Sequence, residues 1–473
     1  MELRAAFWVA ALGITLAVQP GARGVAAERQ KVILDTDGDA DYDDFVNVMT
    51  AAVSPEIDLV GIVVTSSNST QSARTVAKVL HLMGRDDVPV YLGDAAHSPQ
   101  PSISYEAQFP RRRYGFQPEL QKWANDFPFT ANPKSGAEFY LAEFQKSPGA
   151  VTLIVDGPLS TLAGALERAD TMGIGSECRH SIKQVFFSGG DFSTSEWNVY
   201  SDVGSAQLVF QSGIPLYQFG GEDSGKPFLR HEDREKLWEA QTPATWALQD
   251  YYRLYRAGWD PREPFVPILY DVTPLAYLVE GGRICSFEPL AVEIDSIGRL
   301  KRIQGSANLY SRTSNHGDRV IEFVENRLTS HIQPAANHLR AILVSSDSVP
   351  EDVLSKVNSI LEKILRKGET RQADFNAELD RLSARLAQLG KGAATAEWHA
   401  DMARNFLVGE ARQNPWRDPY TSIYITFYIH GIQLAEILRS HTRRVVAIGF
   451  LLSLLLLFYW RQKRSRRVAD GPK

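Results

Sequence analysis

Short apolar, β-branched runs recur along the first two-thirds of the chain, each closed by small or polar residues. Residues 31–34, 57–65, 88–92, 151–155 and 184–187 have the length of buried strands. Apolar residues recur at helical spacing over 45–52 and 70–83, so the order strand, helix, strand predicts βαβ units and a parallel sheet. The expected fold is α/β, an open, mostly parallel sheet flanked by helices. Residues 285–332 read as a β-rich tail. Over 349–389 and 394–410 the pattern is helical, with many Leu and charged residues, and 421–439 is aromatic-rich, as in an amphipathic helix against the domain or a membrane surface. A helical spacer is expected there, and there are no internal repeats.

Two further apolar runs flank these elements. Residues 5–18 follow Arg4 and lead to Val25, Ala26 and Ala27, an export signal cut near Ala27. Residues 445–460 are apolar or small throughout, about 16 residues against the ~20 expected of a span, and RQKRSRR follows directly. The positive-inside rule puts that basic tail in the cytoplasm and the large domain outside. The expected organisation is a signal peptide over 1–27, an α/β domain over 28–332, a helical membrane-proximal region over 333–442, a transmembrane helix over 443–460 and a cytoplasmic tail over 461–473. That organisation would make the chain a single-pass type I membrane protein with its domain periplasmic or extracellular.

Composition narrows the chemistry. A chain of 473 residues with 44% apolar side chains can hold a large α/β domain plus something smaller. Its net charge of -5 implies no strong attraction to nucleic acid, and none is expected as a partner. Cys178 and Cys285 lie far apart in sequence, which leaves their pairing open, and neither has the neighbours of a nucleophile. No Cys/His cluster has zinc-ligand spacing.

The candidate chemistry lies just after the first strand. Asp35, Asp37, Asp39, Asp41, Asp43 and Asp44 follow residues 31–34 and precede a helical run. They fall on a turn at the carboxyl end of a strand, where open α/β sheets place ligands. Like charges this close raise one another's pKa, and a hard divalent cation resolves the conflict by taking several of their oxygens. The plainer reading is a solvated acidic loop with Asp at a helix N-cap. An EF-hand is excluded, because counting from Asp35 the sixth and twelfth positions are Ala40 and Val46 rather than Gly and Glu. A phosphatase with Asp35 as nucleophile and Asp37 as acid needs a downstream Lys and a second acidic pair, and no convincing set is present.

Asp35-Thr36-Asp37 followed by Asp41-Tyr42-Asp43-Asp44 resembles the signature of the inosine-uridine nucleoside N-ribohydrolase family. The resemblance runs over about residues 30–332 and implies a Rossmann-like nucleoside hydrolase fold. It implies a calcium ion held by Asp37, Asp44, Asp271 and the backbone carbonyl of Asp156, with Asp37 as general base. It also implies that Asp43, Asn68, Glu196 and Asn198 hold ribose hydroxyls. The supporting stretches are Asn68 after the second strand, Asp156-Gly157-Pro158-Leu159, Glu196-Trp197-Asn198 and the run over 267–276. Glu196 and Asn198, two apart on an extended segment, would face the same side.

Three features depart from the family's pattern. Ser188 stands where the family has Met, the loop before Glu196 is short, and Tyr270 stands where many members carry the His that protonates a purine. Tyr270 is therefore placed beside the substrate, although a phenol with a pKa near about 10 is a poorer acid. Asn68-Ser69-Thr70 is also an N-glycosylation sequon.

The activity implied is calcium-dependent hydrolysis of the N-glycosidic bond of a small nucleoside or ribosyl substrate by a membrane-anchored domain, with homo-oligomerisation open. The alternative is an inactive ectodomain that binds such a ligand and keeps the fold and metal site.

Overall fold

The computed structural model describes residues 29–38, 41–65, 69–94, 122–220, 225–257, 266–344, 349–367 and 375–408. Ten strands are defined among these: β1 (Gln30–Thr36), β2 (Ile57–Val64), β3 (Val90–Leu92), β4 (Val151–Val155), β5 (Ile182–Phe187), β6 (Leu216–Gln218), β7 (Cys285–Leu290), β8 (Val292–Ile294), β9 (Leu300–Arg302) and β10 (Leu309–Asn315). Eight of them form one sheet in the order β3-β2-β1-β4-β5-β6-β10-β7, while β8 and β9 make a separate antiparallel pair. Every pairing in the large sheet is parallel except β10 with β7. The mostly parallel α/β sheet expected from the apolar runs is therefore present. The run over 88–92 contributes only Val90–Leu92, because Pro89 has no N–H to give the ladder.

The central strand explains the two-sided core. In β1, Val32 and Leu34 join one buried cluster and Ile33 joins the other, as side chains alternate across a strand. The second cluster is filled by α3 (Gly136–Lys146), α4 (Ser160–Thr171) and neighbouring elements. The first is filled by α1 (Tyr42–Val53), α2 (Ser69–Leu82) and later helices. Further helices are α5 (Gly175–Ser181), α6 (Trp197–Ser201), α7 (Val203–Phe210), α8 (His231–Glu239), α9 (Pro243–Ala257) and α10 (Val272–Glu280).

Two expectations change here. The tail over 285–332 is β-rich only as far as Asn315; α11 (Gly317–Leu328) follows, burying Val320, Phe323, Val324 and Leu328 at helical spacing. The region from 333 is helical, but through residue 408 it is not a spacer. Helices α12 (Ile332–Val344), α13 (Glu351–Lys367), α14 (Asn376–Ala387) and α15 (Ala394–Val408) form a layer on the domain. Leu339, Ile342, Val357, Leu382 and Phe406 belong to the same buried cluster as α1. Asn337 Nδ2 donates to the carbonyls of Ala52 and Met83, at 3.2 Å each, at the carboxyl ends of α1 and α2. An amphipathic stripe shows that a helix buries one face, but not what covers it.

Cys178 and Cys285 are buried in different clusters, and no disulfide joins them. Among the described residues no helix is long and apolar enough to cross a membrane. The signal expected over 1–27, the aromatic-rich stretch over 421–439, the span over 443–460 and the tail over 461–473 lie outside the described residues.

Candidate active site

The site is built where β1 ends and α1 begins. Thr36 Oγ1 donates to Asp44 Oδ1 at 2.7 Å and accepts the N–H of Gly38 at 3.0 Å, which folds the turn back over the helix start. Gly38 takes a left-handed φ of 83°, open to glycine at little cost. Asp41 is the N-cap of α1 and forms a capping box with Asp44, whose Oδ2 accepts the Asp41 N–H at 3.0 Å. The plain N-cap reading of the acidic loop thus holds for Asp41. It accounts for one oxygen of Asp44 but not for Asp43; both are buried in the first turn of α1.

Asp271 approaches from the other side, just before α10, and its N–H donates to Asp43 Oδ2 at 3.4 Å. Asp43, Asp44 and Asp271 each present a carboxylate oxygen, and these oxygens all lie within 4.8 Å of one another. Burial, and then the charge of Asp44, push the Asp37 carboxyl well above its usual range. Burial, then the charge of Asp41, does the same for Asp43, and burial, then the charge of Asp43, for Asp271. Burial also raises Asp44, and it lifts Asp41 to about 6. So many carboxylates out of water and within reach of one another cannot all ionise without a counter-charge.

A divalent cation that prefers oxygen ligands supplies that charge, and the donor set fits one. Asn47 Oδ1 and Asn198 Oδ1, two buried acceptors bordering the acids, have no hydrogen-bond partner. Asn47 lies three and four residues after Asp44 and Asp43, on the same helical face. That spacing is the signal by which it could have been found; Thr36 carries no such signal.

Asp156, at the end of β4, joins the site through both its backbone and its side chain. Its carbonyl accepts from Asn198 Nδ2 at 2.7 Å. Its carboxylate accepts from Ser188 Oγ at 2.8 Å and from Asn47 Nδ2 at 2.5 Å. Asp156 is also held well above the usual carboxylate range, first by burial. Ser188, one of the departures noted above, therefore serves as a donor to Asp156.

Glu196 and Asn198 correct one expectation. The segment is not extended: Glu196 is the N-cap of α6, and Asn198 lies within that helix. The Glu196 carboxylate accepts the N–H groups of Asn198 (2.9 Å), Gly190 (2.9 Å) and Val199 (3.3 Å), so it builds the loop. Asn198 Nδ2 is occupied by the Asp156 and Ser188 carbonyls, which turns the amide's acceptor end free. Tyr270 is half-buried beside Asp271, with Lys226 Nζ 5.6 Å from its ring centroid. Asn68 lies outside the described residues.

The family model described as inosine-uridine preferring nucleoside hydrolase matches residues 32–326. The probable uridine nucleosidase 2 of Arabidopsis thaliana is 28% identical over 221 residues, 44% of this chain and 65% of its own length. The pyrimidine-specific ribonucleoside hydrolase RihA of Photobacterium profundum is 27% identical over 260 residues, 52% of this chain and 78% of its own length. The chain thus spans just under two-thirds of the first relative and more of the second. The purine-preferring ribonucleoside hydrolase from Gardnerella vaginalis shares the fold, with a TM-score of 0.53 and 21% identity across 63% of this chain and 98% of that one. The match to the family stops before α12, so the C-terminal helical layer lies beyond it. The chain belongs to the inosine-uridine preferring nucleoside hydrolase family, and it is by that membership a hydrolase of N-glycosyl bonds.

Proposed function

We propose that this chain hydrolyses the N-glycosidic bond of ribonucleosides to ribose and free base, in a calcium-dependent reaction at the Asp37–Asp44 turn. The observation that carries the reading is the convergence of Asp43, Asp44 and Asp271 oxygens within 4.8 Å in a buried site. Asp44 and Asp271 would hold the cation with Asp37 and the Asp156 carbonyl, and Asp43, whose oxygen reaches the same point, would hold a ribose hydroxyl beside it. Bound there, a divalent cation lowers the pKa of a water and fixes its position.

The chain's own groups supply the rest of the chemistry. Cleavage passes through an oxocarbenium-like sugar, and buried carboxylates stabilise that developing positive charge. Asp37 accepts the proton of the attacking water. The free Oδ1 of Asn198 accepts from a sugar hydroxyl, and Asn68 is proposed to contact another. Glu196 contributes by fixing α6, and hence Asn198. The domain is proposed to face the extracytoplasmic side, tethered by residues 443–460; this rests on the apolar run and the basic tail after it. The relatives' names include uridine, pyrimidine and purine preferences, so the base is left to experiment.

The test is ribose release by the full chain from a panel of nucleosides, with calcium and with a chelator. Release that stops in chelator and returns with calcium is the expected result. Absence of release from every nucleoside in calcium would overturn the reading.

A further inference from the structure

We propose that Lys226 is the group that receives the departing base, with Tyr270 as the platform that positions it. This rests on the hydrolase reading above and assigns it a leaving-group residue. Residues 227–229 and 267–269 exchange backbone hydrogen bonds, from Leu229 N to the Pro267 carbonyl and from Leu269 N to the Pro227 carbonyl, at 2.9 Å each. Phe228 pairs with Ile268 in an antiparallel bridge. In that register residue 226 falls opposite residue 270, and Lys226 Nζ lies over the Tyr270 ring, 5.6 Å from its centroid. The backbone at Lys226 is also pinned from behind. A Cβ at Gly317 would lie 2.4 Å from the Lys226 carbonyl, so only glycine allows the two segments to approach this closely.

Ile268 and Tyr270 are half-buried and alternate with the buried Pro267 and Leu269, so Tyr270 turns towards the open face. Its chain neighbour Asp271 is in the acidic cluster. A half-buried cation therefore lies over the side chain that directly precedes Asp271 of the acidic cluster.

The chemistry needs such a cation. When the C–N bond breaks, its electron pair goes to the base nitrogen. Asp37, Asp43, Asp44 and Asp271 favour the positive sugar but repel that negative charge. An ammonium offers three donors and a full positive charge, and hydrogen bonds to a charged group are the stronger kind. The water oxygen forms the new C–O bond, and Asp37 takes the water's proton. Lys226 gives a proton to the base; the amine regains one from solvent, and Asp37 returns its proton there. The sum is nucleoside plus water to ribose plus base. The arrangement suits bases whose departing charge spreads onto a carbonyl oxygen, which can accept from Nζ.

The test compares nucleosides with p-nitrophenyl riboside, whose leaving group departs without a proton. In the full chain, Lys226→Met is expected to lower kcat on uridine and inosine about 10²-fold. Release of p-nitrophenolate by the same variant should be nearly unchanged, and Lys226→Arg, whose guanidinium keeps its proton, should recover little nucleoside turnover. Equal losses on both substrate types would show a structural role and overturn the proposal, as would unchanged nucleoside turnover. A wild-type chain that cleaves p-nitrophenyl riboside but no nucleoside would leave ribosyl hydrolysis standing and sink the assignment of Lys226. Cleavage of neither substrate would remove the hydrolase reading and this one with it.

Discussion

Two of the buried clusters of titratable side chains among the described residues deal with burial in opposite ways. At the carboxyl end of the sheet are Asp37, Asp43, Asp44 and Asp271; under the C-terminal helices are His338 of α12 and His399 of α15. The histidines have a solution that uses only their neutral forms. His338 Nε2 lies 2.9 Å from the Leu82 carbonyl, which can only accept, so that nitrogen carries the proton. His338 Nδ1 then accepts from His399 Nδ1 at 3.0 Å. Burial pushes His338 down to about 3 and His399 down to about 4, so both are neutral at pH 7.

The carboxylates have no equivalent solution. Ionised, they only accept; protonated, they could bond one another, but this would forfeit the negative charge that chemistry at an oxocarbenium requires. Hydrogen bonds satisfy the histidine cluster, so it locks a helical layer to the carboxyl ends of the site helices. The acidic cluster needs a partner from outside the chain. A buried polar group is evidence of function when the fold leaves it unresolved.

The largest effect that sharpens this contrast is on rate. Replacing Asp37 by Ala should lower kcat by about 10²- to 10⁴-fold, the range for loss of a general base. It also removes one of several mutually repelling buried carboxylates, so the melting temperature in chelator should hold or rise. A loss of activity accompanied by a marked fall in that melting temperature would make Asp37 a structural residue, like the histidines.

The next effect is on stability and comes from the other cluster. Both histidines have folded pKa values below the 6.5 of the free side chain. Between those limits the unfolded chain binds more protons, so stability rises with pH and is lost as pH falls from about 6.5 towards 4. At one pKa unit per 1.36 kcal/mol the loss is of the order of 3 kcal/mol for each histidine; His81 and Asp86 are the titratable groups that face them. Thermal melts in chelator between pH 7 and pH 5 should show this slope, flattened in His338→Gln, whose amide can replace both hydrogen bonds. An unchanged slope would mean that the pair does not carry the acid sensitivity.

The same contrast shows what the sequence made legible. The parallel sheet and the acidic turn could be read because apolar runs and six clustered carboxylates are local patterns. Asp271 was reached only through the family resemblance, since nothing near it in sequence points to Asp43. The resemblance makes Glu196 a sugar ligand, and in the structure its carboxylate also caps α6; a capping Glu and a binding Glu are the same letter. The meeting of Asp156, Ser188 and Asn47 joins three separate elements and has no signature along the chain. The C-terminal helices were visible as helices, but their docking on α1 and α2 was not. That docking depends on Asn337 and His338 finding particular carbonyls, which no periodicity encodes.

The buried acids are proposed to form a cation site. Calorimetric titration of the full chain with calcium, alongside Asp271→Asn, tests it most directly. Saturable binding of one ion per chain is expected in the wild type, with a large loss of affinity in the variant. Equal binding by both proteins, or no binding by the wild type, would contradict it.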